Sequence, residues 1–155
     1  MRVTMRNQPE LIVWAAPRMG VPEDQVPAET VALGVLDDAG EIHAVIWLNA
    51  FYATHASLHI ASNGGKRWAT RQVLRTVFAF AFGYMRLTRL NFVVSVNNVP
   101  VQVLALKVGL RIEGVARCGA NDGSDGILFG MLAHECRWLP QHVKERISGK
   151  VSAET

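Results

Sequence analysis

Apolar positions change rhythm several times along the chain, and each change marks an element. The runs Val31-Ala32-Leu33-Gly34-Val35-Leu36 and Ile42-His43-Ala44-Val45-Ile46-Trp47-Leu48 flank the turn Asp37-Asp38-Ala39-Gly40. Two β-rich runs joined by an Asp/Gly turn predict an antiparallel hairpin. A third strand is predicted over residues 55–61, running into Gly64-Gly65. Beyond the glycines, Val73, Leu74, Val77, Phe78, Ala81 and Met85 recur at helical spacing, with Arg71, Gln72, Arg75 and Thr76 on the other side. That spacing predicts an amphipathic helix over residues 68–85. Phe78-Ala79-Phe80-Ala81-Phe82 also alternates with period two, but continuity with the preceding pattern favours helix, and its rings are expected in the core.

The next strand is predicted over residues 90–96 and ends at Asn97-Asn98. A helix then spans 99–108, with Asn98 as its cap, Pro100 in its first turn and Gly109 just past its end. Two more strands, 110–117 and 126–132, are joined by the Gly/Asn/Asp-rich loop 119–125. Near the start, Asn7 or Gln8 would cap a short helix carrying Leu11, Ile12, Trp14 and Ala15, with Pro9 in its first turn and Pro17 and Gly20 to stop it. Pro17, Pro22 and Pro27 mark an irregular connection, expected to form an edge or flap on the substrate side. Residues 140–155 are polar and expected to be a loose tail after one domain spanning 1–139.

With 155 residues, 50% of them hydrophobic and 19% charged, the composition is that of a single folded domain rather than a disordered chain. The net charge of +3 admits an anionic ligand. No run of five or six basic residues occurs and the aromatic residues sit in apolar segments, so nucleic acid is not the expected partner. Cys118 and Cys136 match no metal or redox spacing and are expected to be free, buried thiols. The first apolar patch is short and broken by Pro17, which argues against a signal peptide or membrane span and makes the cytoplasm the expected compartment.

The stretch from Ser57 to Thr70 carries the first chemical signal: a strand, a glycine turn, then a helix. The opening N–H groups of a helix lack intrahelical partners and the helix dipole adds positive charge there, so an anion fits. Gly64 and Gly65 would let the backbone approach a pyrophosphate, with Lys66, Arg67 and Arg71 supplying charge around it.

Strand, glycine turn, helix, strand, Asn, helix, Gly-Leu, Glu-Gly, strand, strand is a specific order. In it the sequence resembles the GNAT superfamily of acyl-CoA-dependent N-acyltransferases over residues 30–139, nearest the ribosomal-protein N-terminal acetyltransferase branch and its short phage-encoded relatives. One block is Gly64-Gly65-Lys66-Arg67-Trp68-Ala69-Thr70, which falls where that family has its pyrophosphate loop, Q/R-x-x-G-x-G/A. Ala69 fits the last position, whereas Gly64 replaces Gln or Arg and Arg67 replaces Gly. The second block is Asn98 followed by Ala105-Leu106-Lys107-Val108-Gly109-Leu110-Arg111-Ile112-Glu113-Gly114-Val115-Ala116-Arg117, and then the strand closing at Leu139.

The resemblance implies an α/β (α+β) fold: a mixed, mostly antiparallel sheet with a central splayed parallel strand pair and helices on both faces. The splayed strands would be 57–62 and 90–97, with acetyl-CoA between them as acyl donor. The resemblance assigns cofactor contacts to Leu58, Ile60, Gly64, Gly65, Lys66, Arg67, Trp68, Ala69, Thr70 and Asn98, with backbone groups near Leu58, His59 and Ile60 serving the pantetheine arm and the thioester carbonyl. Many members place a Tyr on the helix after Asn98 to protonate the leaving thiolate, and the corresponding position here is Ala105. A thiol with a reference pKa near ~8.5 is in any case a tolerable leaving group.

The acceptor amine must lose a proton, so a base is needed. His59, in the strand beside the cleft, is the first candidate, followed by His55, Glu113 and Ser95. His55 and His59 are four apart, but on a strand and without a third ligand no metal is expected. Ser124 lies in a loop and no nucleophile-elbow motif is present. The expected activity is transfer of acetyl from acetyl-CoA to a primary amine: a protein N-terminus, a lysine or a small amine. The alternatives are a non-catalytic module that binds CoA or a partner, and a nucleic-acid-associated modifier. An exposed strand edge would allow a homodimer.

Overall fold

The computed structural model of the chain describes residues 1–153. Seven strands form one sheet in the order β1-β2-β3-β4-β5-β7-β6. They are β1 (Arg2–Thr4), β2 (Val31–Leu36), β3 (Ile42–Tyr52), β4 (His55–Ser62), β5 (Arg89–Ser95), β6 (Arg111–Ala116) and β7 (Gly126–Leu132). Every neighbouring pair is antiparallel except β4 and β5. Parallel neighbours need a crossover, and here it is the helix after the glycine turn.

Side chains alternate between the two faces of a strand, and both faces are used. One face carries Leu33, Val35, Ile46, Leu58, Leu90, Phe92, Phe129 and Met131 into the main core, against helices α2 (Arg71–Phe78) and α3 (Val99–Val108) and Val143 of α4 (Gln141–Ala153). The other face carries Ala32, Val45, Trp47 and Ala61 into a smaller core with Leu11 and Ala15 of α1 (Gln8–Ala15). Burial at about 25 cal/mol per Å² of apolar surface drives both layers. The layering on both sides of the sheet is the arrangement expected from the sequence.

Several boundaries differ from the sequence reading. The loop after β4 is longer: α2 starts at Arg71, and Thr70 is its cap, with Oγ1 accepting from Val73 N at 3.2 Å. Helix α2 passes at Ala79 into a π-helical segment reaching Tyr84. That widening occupies the phenylalanine stretch whose periodicity is ambiguous, and it stacks Phe78 on Phe82 and Phe80 on Tyr84 with centroids 6.1 and 5.4 Å apart. The expected loose tail is a helix, because Val143 is buried and Arg146 donates to the carbonyls of Phe82 and Gly83, capping the π segment's exposed end. Cys136 is buried, and burial raises its thiol pKa to about 11, but Cys118 is exposed, contrary to expectation.

The short strand β1 is a further difference, with no signal in the local pattern. Asn7 stands at the cap position of α1 with φ +58° and makes no side-chain cap. Gln8 instead serves the sheet. Its side-chain amide accepts from Ala32 N at 2.8 Å and donates to Ala32 O at 2.7 Å, pairing with β2 as a strand neighbour would. Asn98 and Gly109 do cap α3 as expected, Asn98 Oδ1 accepting from Val101 N and Gly109 taking φ +112°.

Candidate active site

The register of β4 against β5 sets the site. The two strands pair from His55 with Arg89 to Leu58 with Phe92, and no further. Both continue, β4 to Ser62 held by β3 and β5 to Ser95 held by β7, so they splay. The splay opens a cleft of about 520 Å³ lined by His59 and Ile60 from β4, Phe92 to Ser95 from β5, and Asn97, Asn98 and Val101 from the start of α3. Arg18 and Met19, just after α1, and residues 119–122 of the β6–β7 loop complete its rim.

Ile60 and Phe92 also line a narrow apolar pocket on the helical side, with Leu58, Trp68, Leu104 and Ala105. Ile60 and Phe92 therefore stand between the cleft and the helices α2 and α3. Trp68 is buried at 4% exposure, its ring packed in the core at the wall of this pocket. Ala105 is buried there too and offers no proton.

At the other end of that face lies the glycine loop. Gly64 takes φ +101°, a conformation an L side chain rarely adopts, and a Cβ built on it meets nothing within 4 Å. Lys66, Arg67 and Arg71 are exposed around it, beside the Thr70-capped N-terminus of α2. Space and positive charge coincide at this loop, although it does not line the large cleft.

His59 is on the α1 face, opposite Trp47 of β3, their rings meeting edge-on with centroids 6.4 Å apart. Its Nε2 lies 2.8 Å from Asn49 Oδ1, and Asn49 Nδ2 donates in turn to Thr30 Oγ1 at 3.2 Å. Burial lowers the imidazole pKa below its ordinary value. The ring is therefore neutral at neutral pH, the state in which it can accept a proton.

The other candidate bases are placed differently. Glu113 is outside the cleft: at a bulge in β6, its carboxylate is gripped by both terminal nitrogens of Arg89, which hold its pKa below the usual carboxylate range. The structure gives it an ion pair instead of a place among the cleft residues. Ser95 does line the cleft, but its hydroxyl donates to Asp122 at 2.8 Å. His55 lies where β4 and β5 are still paired, with Nδ1 3.3 Å from Asn91 Nδ2.

Three groups in the site carry no strong signal in the sequence. Asn49 ends an apolar run, and a lone amide there is a readable but weak sign. Arg18 lies with its Cζ 3.8 Å over the Trp14 ring and donates to Trp14 O at 2.7 Å. Asp122 is anchored by Ser124, whose hydroxyl and N–H both donate to it, and by Ser95, which together push its pKa down to about 2. Beside it, Asn121 Nδ2 donates to Met19 O at 2.9 Å, tying the β6–β7 loop to the segment after α1 across the rim.

The sheet order, the single parallel pair that splays and the helices on both faces define the GNAT fold, and the chain has it. Among solved structures it is similar to a protein from Vibrio cholerae described as a ribosomal-protein-serine acetyltransferase, with 30% identity, TM-score 0.58, and 68% of this chain and 65% of that one covered. It is also similar to the spermidine/spermine N-acetyltransferase of Vibrio cholerae solved with manganese ions, with 18% identity, TM-score 0.59, and 70% and 68% coverage. The chain thus spans about two thirds of each protein's length. No protein-family model and no curated protein sequence matches the chain. Among the described residues, no helix is long and apolar enough to cross a membrane.

Proposed function

We propose that the chain transfers acetyl from acetyl-CoA to a primary amine, with the α-amine of a protein N-terminus as the preferred acceptor. The observation that carries this reading is the early end of β4–β5 pairing at Leu58 and Phe92, with a neutral His59 beside the opening. In this reading the loop from Gly64 to Thr70 and the start of α2 take the pyrophosphate. Backbone groups near Leu58 and Ile60 hold the pantetheine arm, and Asn98 touches it from the start of α3.

The reaction is a direct attack. The amine nitrogen forms a bond to the thioester carbonyl carbon, the C–S bond breaks, CoA leaves as thiolate and the amine proton passes to His59. No acid is required of Ala105, since a thiolate of pKa near ~8.5 departs tolerably at neutral pH.

The preference among amines follows from proton affinity. His59 titrates below the ordinary imidazole value of 6.5. Taking a proton from an α-ammonium of pKa ~7.7–8.0 then costs at least about 1.6 kcal/mol, whereas a lysine-type ammonium near ~10.4 costs at least about 5 kcal/mol. Charge points the same way. Of the described residues lining the cleft, Asp122 is the only acid and Arg18 faces the same space, which suits a singly charged amine better than a polyamine.

Titration calorimetry with acetyl-CoA, followed by thiol release with an amino-terminal peptide, a lysine-containing acetyl-blocked peptide and spermidine, tests the proposal. Saturable binding and fastest release with the free N-terminus are expected. Absence of acetyl-CoA binding would sink it, and binding without transfer to any amine would leave a CoA-binding module.

A further inference from the structure

Thr30 and Asn49 are the two polar residues buried in the described core, at 8% and 5% exposure, and both lead to His59. A buried amide is costly unless its polar atoms are paired, so the partners of Asn49 are informative. Its Nδ2 donates to Thr30 Oγ1 and its Oδ1 faces His59 Nε2 at 2.8 Å. An amide oxygen can only accept, so the nitrogen facing it carries the hydrogen. The lone pair of the neutral ring is then on Nδ1.

Among the described residues, no second hydrogen bond to the ring is made. Trp47 backs it edge-on, and the indole Nε1 of Trp47 makes no hydrogen bond among the described residues. The charged groups that share the cleft with His59 are Arg18, engaged with Trp14, and Asp122, engaged with Ser95 and Ser124. Thr30 is itself fixed, its N–H bonded to Pro27 O at 3.0 Å.

We infer that Asn49, anchored by Thr30, is the positioning residue of the site: it holds the His59 ring with Nε2 protonated and Nδ1 free to receive the acceptor's proton. The inference rests on the acetyl-transfer reading for its role in turnover, but the ring state can be read without turnover. Asn49 touches neither donor nor acceptor and acts through His59.

The test combines spectroscopy of the resting protein with kinetics. Imidazole 15N NMR of the unmodified chain should show His59 as the Nε2–H tautomer, and Asn49→Leu should give a mixture; an Nδ1–H ring in the unmodified chain overturns the inference. In Asn49→Asp, a carboxylate facing Nε2–H should move the acid limb of the kcat/KM profile up by about 1–3 pH units. An unmoved limb in a folded Asn49→Asp protein also overturns it. Asn49→Leu should lower kcat about tenfold, within the total of about 100- to 10,000-fold that a positioned base supplies, with little change in KM. In a His59→Ala background Asn49→Leu should cost nothing more, whereas additive losses would mean a merely structural amide. Should His59→Ala keep full turnover while the NMR shows the predicted tautomer, the base assignment fails and the ring lock alone stands, so the two failures are distinguishable. Thermal melts of each variant separate misfolding from these effects.

Discussion

The α1 layer is seated on a glycine, and that seat can be disturbed by one methyl group. A Cβ built on Gly34 of β2 comes within 2.5 Å of Leu11 Cδ2, 3.3 Å of Leu11 Cδ1 and 3.2 Å of Leu36 Cδ1. Leu11 is 2% exposed, and both of its methyls crowd the site, so turning about χ2 exchanges one clash for another. Relief requires the buried Leu11 side chain to move, and its shift is passed to α1. Overpacking of this kind costs about 1–3 kcal/mol, offset by about 0.4–1 kcal/mol from the stiffer unfolded chain. Gly34→Ala should therefore destabilise by about 1–2 kcal/mol, a fall in Tm of roughly 2–8 °C for a chain of this size.

The functional half of the prediction comes from position. Arg18 and Met19 follow α1 directly and form part of the cleft rim, while the glycine loop and α2 belong to the opposite face. Shifting α1 should raise the acceptor KM and leave acetyl-CoA affinity within about twofold. Thermal melting, calorimetry and acceptor kinetics on the same preparation check both halves. An unchanged Tm, or equal losses of donor and acceptor binding, would refute the reasoning.

Three further outcomes are expected. Gly65→Glu sets a negative charge beside the α2 N-terminus at a position where a Cβ meets only Asn63 Oδ1, at 3.9 Å, so calorimetry should show acetyl-CoA binding weakened at least about tenfold with Tm unchanged; equal affinity would misplace the cradle. Because burial lowers the His59 pKa, kcat/KM should stay level from pH 7 down past the ordinary imidazole value of 6.5 and fall only below it; an acid limb above 6.5 would contradict a buried neutral ring. The folded state likewise gains nothing from His59 above that value and loses stability as the pH falls, since the unfolded chain takes the proton first. Trp68→Ala, emptying a 4% exposed core position, should cost about 3–5 kcal/mol in urea unfolding, whereas a loss under about 1 kcal/mol would mean that the ring is not core.

The sequence is most readable where local chemistry decides structure. Asn98, Pro100 and Gly109 mark both ends of α3, and the Asp/Gly turn marks the first hairpin, where His43 Nε2 closes on Asp37 at 2.8 Å. It is least readable where distant segments decide. Nothing local shows that Gln8 completes β2 at Ala32, that Val143 and Arg146 turn a polar tail into a helix, or that Arg89 claims Glu113. The parallel pair is expected from the resemblance, but the residue at which it stops pairing is a property of the sheet. Asn49 shows the same limit: its meaning depends on Thr30 and His59, which arrive from two other parts of the chain.

Gly130 of β7 lies beneath the Arg89–Glu113 pair, and a methyl there would take the place of the Glu113 carboxylate and come within 2.6 Å of Arg89 Nη2. The glycine at 130 is therefore tied by inheritance to the pair that lies over it. A lineage that gains a side chain at 130 has to swing the Glu113 carboxylate aside or give it up, while Arg89 keeps its bond to Asn91 Oδ1 at 2.8 Å. Descendants that keep the Arg89–Glu113 pair in this geometry should keep glycine at 130.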